Sequence, residues 1–212
     1  MEFTNGQIYH VFNRGNNSQR IFFNRGNYLF FLDKIRNNIL PHADILAWCL
    51  IPNHFHLMIS VNQVEVEFCE QVNSGESEGF TSSETLTRVT PSKTRSLNDS
   101  IGIILRSYTR AVQKQQKTTG SLFQKETKAI CLTEPEFAPA YFDTHFGMMG
   151  NLDLPETNYL NVCFDYIHLN PVSDRLVRNP EDWEFSSYRD YHCGRKGKLV
   201  NRELARELGL IT

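Results

Sequence analysis

The sequence predicts an α+β domain, on three observations. Strand-like and helix-like segments alternate along the chain. The turn signal Pro52-Asn53 joins two apolar runs into an antiparallel hairpin. With 212 residues, 40% hydrophobic and 12% aromatic, the chain can bury a substantial core in one domain. Together these fit a ferredoxin-like sandwich: an antiparallel sheet with helices on one face and a histidine pair on a central strand.

Each element has its own signal. A strand is predicted near Gln7 to Asn13 and a helix near Tyr28 to Leu40. The apolar run Ile45 to Ile51 and the segment His54 to Val61 form the hairpin. A second helix is predicted near Ser96 to Gln116 and a strand near Thr127 to Leu132. Tyr159 to Asn170 has apolar residues at Leu160, Cys163, Phe164 and Ile167, a helical spacing that Pro171 is expected to end. Residues 62–96 read as a mobile connection, because 73–95 is rich in Ser, Thr, Glu and Gly. Residues 133–157 hold Phe137, Tyr141, Phe142, Phe146, Met148 and Met149, too apolar for a free loop, and read as a packed, partly helical insertion. The domain is placed at 1–192, with a tail at 193–212 whose Arg202 to Leu210 stretch has helical propensity and can dock on the core.

The richest chemistry lies in His54-Phe55-His56. Side chains alternate along a strand, so the two imidazoles share a face while Phe55 and Leu57 take the other. Two neutral imidazoles make half of a divalent-metal site, although such a pair is as often structural. On the later helix Tyr166 and Asn170 are four residues apart and therefore on one face. By themselves they fit a packing residue and a helix cap before proline better than a site.

A family resemblance changes that weighting. Leu50-Ile51-Pro52-Asn53-His54-Phe55-His56, followed by Asp165-Tyr166-Ile167-His168-Leu169-Asn170-Pro171-Val172, resembles the single-tyrosine HUH transposases, specifically the branch associated with repetitive extragenic palindromes (REP). Tyr9-His10-Val11-Phe12-Asn13-Arg14-Gly15, Gly120-Ser121-Leu122-Phe123-Gln124-Lys125 and Asp182-Trp183-Glu184-Phe185-Ser186-Ser187-Tyr188 follow the family order. Gln124 and Glu126 depart from a segment usually more basic in the family.

The resemblance implies the same fold, single-stranded DNA with a small palindromic hairpin as substrate, and strand transfer through a 5′-phosphotyrosine on Tyr166. It implies metal ligation by His54, His56 and Asn170; imidazole and amide donors suit Mg²⁺ or Mn²⁺ with positions left for phosphate oxygens. Arg14 and the basic helix would grip backbone phosphates, and Arg106, Arg110 and Lys114 share a helix face at four-residue spacing. Lys125 and Lys128 extend that set. This basic face is expected to adjoin the histidine pair. Tyr108, amid the same basic residues, is a rival nucleophile but has Val112 where an asparagine would be needed. His168, two residues beyond Tyr166, reads as a packing or DNA-contact residue.

Charge and cysteine content bound the alternatives. A net charge of −2 and a pI near 6.4 are unusual for a nucleic-acid enzyme. The charges are segregated: Arg106, Arg110, Lys114, Lys117, Lys125 and Lys128 face only Glu126, while Glu65, Glu67, Glu70, Glu76, Glu78 and Glu84 crowd into the segment after the hairpin. Five scattered cysteines without CxxC spacing read as reduced thiols. With no long apolar run and no signal-peptide profile, a soluble cytoplasmic protein without membrane partners is expected. An active strand-transfer enzyme is the leading reading; a catalytically silent, domesticated DNA-binding protein and an unrelated small metalloenzyme are the others. Monomer and homodimer both remain open.

Overall fold

A computed structural model describes residues 1–68, 93–134, 141–144, 147–150 and 157–212. Strand β1 (Ile8–Arg14) is followed by helix α1 (Arg25–Ile39), hairpin β2 (Ala43–Ile51) and β3 (His54–Val61), helix α2 (Leu97–Gln116) and strand β6 (Lys128–Cys131). Between hairpin and α2 the short strands β4 (Glu65–Phe68) and β5 (Lys93–Ser96) pair antiparallel. Both ends of the segment expected to be a mobile connection are therefore ordered strands; its centre lies outside the described residues. In the expected insertion the described pieces include an antiparallel pair, β7 (Tyr141–Thr144) and β8 (Gly147–Gly150), and the rest of the stretch expected to be partly helical lies largely outside the described residues.

The main sheet is antiparallel throughout, in the order β2-β3-β1-β6. With α1 and α2 as the two crossovers this is the ferredoxin-like arrangement, and β1 and β3 are its central strands. Alternation along β3 divides the core. Phe55, Leu57, Ile59 and Val61 pack with Val11, Ile35, Ile101, Ile104 and Tyr108 beneath α1 and α2. The opposite face presents His54, His56 and Met58. It is covered by helix α3 (Thr157–Ser173), whose Cys163, Phe164 and Ile167 pack with Leu46, Ala47, Cys49, Ile51 and Met58. A bulge between Ile45 and Ala47 lets Leu46 and Ala47 both join this second core.

The helix ends follow local chemistry. Asn24 with Asn27 forms a capping box on α1, and Ser96 with Asp99 forms one on α2. Pro171 lies inside α3 rather than after it. A proline this close to the C-terminus removes few ladder bonds, and the Asp174 amide still reaches the Asn170 carbonyl at 2.9 Å.

Chain-distant motifs meet in the fold. The Gln124 amide donates to the Arg14 carbonyl and the Asn16 amide to the Leu122 carbonyl. The buried Asn13 amide donates to the Gln124 carbonyl and to Thr127 Oγ1. Gly15 anchors this junction, since a Cβ there would stand 2.1 Å from the Gln19 carbonyl oxygen. Along β2 the C-terminal segment completes the edge: Leu50 donates to the Phe185 carbonyl, Ser187 to the Trp48 carbonyl and Asn201 to the Ile45 carbonyl. Helix α4 (Tyr188–His192) and helix α5 (Arg202–Glu207) follow, and Ala205 and Leu210 are buried in the second core. The tail thus docks as its propensity suggested. Among the described residues no helix is long and apolar enough to cross a membrane.

Candidate active site

The site lies between the second face of the sheet and α3. Opposite β3, strand β1 brings His10 against Met58, Phe12 against His56 and Arg14 against His54. The face therefore carries His54, His56, His10, Phe12 and Arg14 together, and α3 lays Tyr166 and Asn170 over it one turn apart. His54, His56, His10 and Asn170 are all buried. The Tyr166 ring stands edge-on to His56 at 5.4 Å between centroids and to His10 at 6.0 Å.

Hydrogen bonding fixes how these groups point. His54 Nδ1 donates to Asn53 Oδ1 at 2.8 Å, which leaves Nε2 of a neutral ring without a proton. That Nε2 faces Asn170 Oδ1 at 3.1 Å. His56 Nε2 is buried with no hydrogen-bond partner, while its Nδ1 lies 2.9 Å from His10 Nε2. An imidazole lone pair thus meets an amide oxygen where a donor would be expected, and the His56 ring stands edge-on to His54 at 4.8 Å between centroids. Two ligands of one octahedral cation at about 2.1 Å stand roughly 3 Å apart, close to the His54–Asn170 spacing. The donor set fits a divalent ion of the Mg²⁺ or Mn²⁺ kind. Among the described residues no group of three His, Cys, Asp or Glu side chains offers a metal cage.

Burial favours the neutral form of each ring. Burial pushes His10 down to about 3. Burial, then the Arg14 guanidinium, brings His54 to about 3 against the weaker opposing effect of the hydrogen bond its protonated form would donate to Asn170 Oδ1. His56 is held well below the ordinary histidine value by burial, then by His54, His10 and Arg14. At neutral pH the three imidazoles are uncharged.

The structure separates the basic residues. Arg14 is exposed beside His54. Lys128, on the edge strand, lies with its ammonium 5.9 Å from the Phe12 ring centre. Arg106 and Arg110 line a groove of about 940 Å³ between α2 and residues 121–130, together with Lys125 and Lys128. Lys114 is exposed in the last turn of α2, outside that groove. The expectation that the α2 basic face adjoins the histidine pair is not met. The apolar stripe of α2 buries on the Phe55 and Leu57 side, and strand alternation puts the histidines on the other.

Two tyrosines are likewise distinguished. Tyr108 is fully buried and donates its hydroxyl to the Ile21 carbonyl at 2.8 Å, and burial raises its phenol strongly. It is a core residue. His168 is buried against Phe164 and Tyr191, with Nε2 2.7 Å from Ser187 Oγ, which ties α3 to the segment closing β2. Packing is one of the two roles the sequence offered for it. The residues that sequence reasoning passed over as site members are His10 and Asn53; period-two alternation through Ile8, His10, Phe12 and Arg14 was the signal for the first.

No protein-family model and no curated protein sequence matches the chain. Among solved structures the chain is similar to a REP-associated tyrosine transposase bound to a REP hairpin. The likeness has a TM-score of 0.53 at 14% identity and covers 95% of this chain and 92% of that one. At that identity it bears on the fold.

Proposed function

We propose that this chain is a metal-dependent enzyme that cleaves and rejoins single-stranded DNA through Tyr166, on a substrate carrying a palindromic hairpin. The observation that carries the reading is the 3.1 Å approach of His54 Nε2 to Asn170 Oδ1, with the unpartnered His56 Nε2 on the adjoining ring and Tyr166 edge-on to that ring at 5.4 Å. The hairpin bound by the structural neighbour supports the choice of substrate. His54, His56 and Asn170 would hold a Mg²⁺ or Mn²⁺ ion, which when bound would supply Lewis-acid polarisation of the scissile phosphate.

The residues then divide the work. The Tyr166 oxygen attacks phosphorus, the bond from phosphorus to the 3′ oxygen breaks, the phenol proton passes to solvent, and the departing 3′ oxygen is protonated. The tyrosine retains the 5′ phosphate, so an incoming 3′-hydroxyl can displace it and seal a strand without a nucleotide cofactor. Burial of His54 and His56 keeps both rings neutral for ligation, and Arg14 and Lys128 offer charge to the flanking phosphates. The groove lined by Arg106, Arg110 and Lys125 gives a further stretch of backbone a cationic seat beyond the edge strand.

The test is a covalent adduct on a labelled hairpin oligonucleotide with a single-stranded flank, in Mn²⁺, resolved on a denaturing gel. An adduct in the parent protein and none in Tyr166→Phe is the expected result. Tight DNA binding with no adduct would instead favour a silent DNA-binding protein, and neither binding nor adduct would sink both readings.

A further inference from the structure

We infer that His10 is a positioning residue for the metal site: its Nε2 accepts the Nδ1–H of His56 and so holds the His56 Nε2 lone pair toward the cleft. This rests on the metal reading above and adds to it a residue of β1 that touches neither metal nor DNA.

The geometry is specific. His10 Nε2 and His56 Nδ1 are 2.9 Å apart, and the two rings are nearly parallel, 23° between planes at 5.1 Å. Both side chains are almost fully enclosed, 2% and 4% exposed. The neutral pair can share only one proton across this contact, so there are two arrangements. If His10 donated, His56 would carry its own proton on Nε2, and that nitrogen would be a donor unable to ligate a cation. If His56 donates, its Nε2 keeps a lone pair on a ring that stands edge-on to His54 at 4.8 Å between centroids, and the proton of neutral His10 sits on Nδ1. The second arrangement gives three ligand atoms of one kind, which is what a cation requires and what a ring free to choose its tautomer would not guarantee. Phe12 packs against both rings, stacked on His10 at 4.7 Å and on His56 at 5.8 Å, and so helps hold the pair. His10 and His56 sit on the two central strands, so the contact is set by register rather than by a loop.

Two variants separate hydrogen bonding from packing. His10→Gln keeps an acceptor near the position of Nε2 and discards the ring; His10→Phe keeps the ring and its stack and discards the acceptor. Mn²⁺ binding is measured without DNA by calorimetry, with thermal melts of the metal-free proteins alongside. The expected result is a loss of roughly 10- to 100-fold in Mn²⁺ affinity for His10→Phe and only a few-fold change for His10→Gln. In the parent protein loaded with Mg²⁺, two-bond ¹H–¹⁵N spectra should show the proton of His56 on Nδ1. Unchanged affinity in His10→Phe, equal weakening in both variants, or a proton on His56 Nε2 would overturn the assignment. A parent protein that binds no Mn²⁺ at all would instead overturn the metal reading itself.

Discussion

Exchanging each of two tyrosines for phenylalanine should produce opposite phenotypes. Tyr108 has 0% exposure, and its hydroxyl donates at 2.8 Å to the carbonyl of Ile21, itself at 0%. Phenylalanine fills the same space, so Tyr108→Phe loses that one hydrogen bond and leaves a carbonyl buried without its partner. The cost is about 1–3 kcal/mol. For a chain of this size each kcal/mol lowers the melting temperature by roughly 2–4 °C, so a drop of about 2–12 °C is expected. The site on the other sheet face is untouched, and adduct formation below the melting temperature should persist. Tyr166 is only half-buried, over the histidine rings. Tyr166→Phe should melt within about 0.5 kcal/mol of the parent, as surface-type changes do, yet form no adduct. Differential scanning fluorimetry and the denaturing-gel assay on the same preparations give both numbers. An adduct in Tyr166→Phe, or its loss in a Tyr108→Phe protein that melts like the parent, would refute the reasoning.

Three further outcomes follow from the geometry. His10, His54 and His168 are each depressed to about 3 by burial, so the unfolded chain takes up protons below pH 6.5 that the folded chain refuses. Stability of the metal-free protein should be fully present above pH 6.5 and fall as pH drops toward 3, by up to about 1.4 kcal/mol per imidazole per pH unit; a flat urea midpoint between pH 7 and 5 would contradict this. Replacing both Arg106 and Arg110 by glutamine should weaken single-stranded DNA binding and reduce the slope of log affinity against log salt by about 1.4, with Mn²⁺ binding unchanged. An unaltered slope would remove the groove from the DNA path. Gly15→Ala drives a Cβ against the Gln19 backbone and should cost about 1–3 kcal/mol, read from denaturant midpoints; a neutral variant would show that the junction between β1 and the 121–124 stretch can yield.

How much was legible depended on whether a signal was local. The hairpin was, because a two-residue turn fixes its register, and with the register came the shared face of His54 and His56. The shared face of Tyr166 and Asn170 was legible too, since helical spacing is a property of neighbours. The ends of α2 matched for the same reason, its Ser96 and Asp99 capping box being readable in four residues. By contrast, Pro171 misled, because a proline costs little in a last turn and neither the spacing nor the proline itself says where the turn falls.

Sequence by itself therefore determined which side chains travel together on each strand and helix, and with them the ferredoxin-like pattern of alternating elements. Tertiary structure alone decided which of those faces meet. It laid α3 over the histidine face and placed the arginines of α2 on the far side of the sheet and along its edge. It also put His10, 46 residues from His56 in the chain, within a hydrogen bond of it. The physical reason is that alternation and helical periodicity act over a few residues. The partner of a face is chosen by burial of apolar surface across the whole chain, and no short stretch of sequence carries that choice.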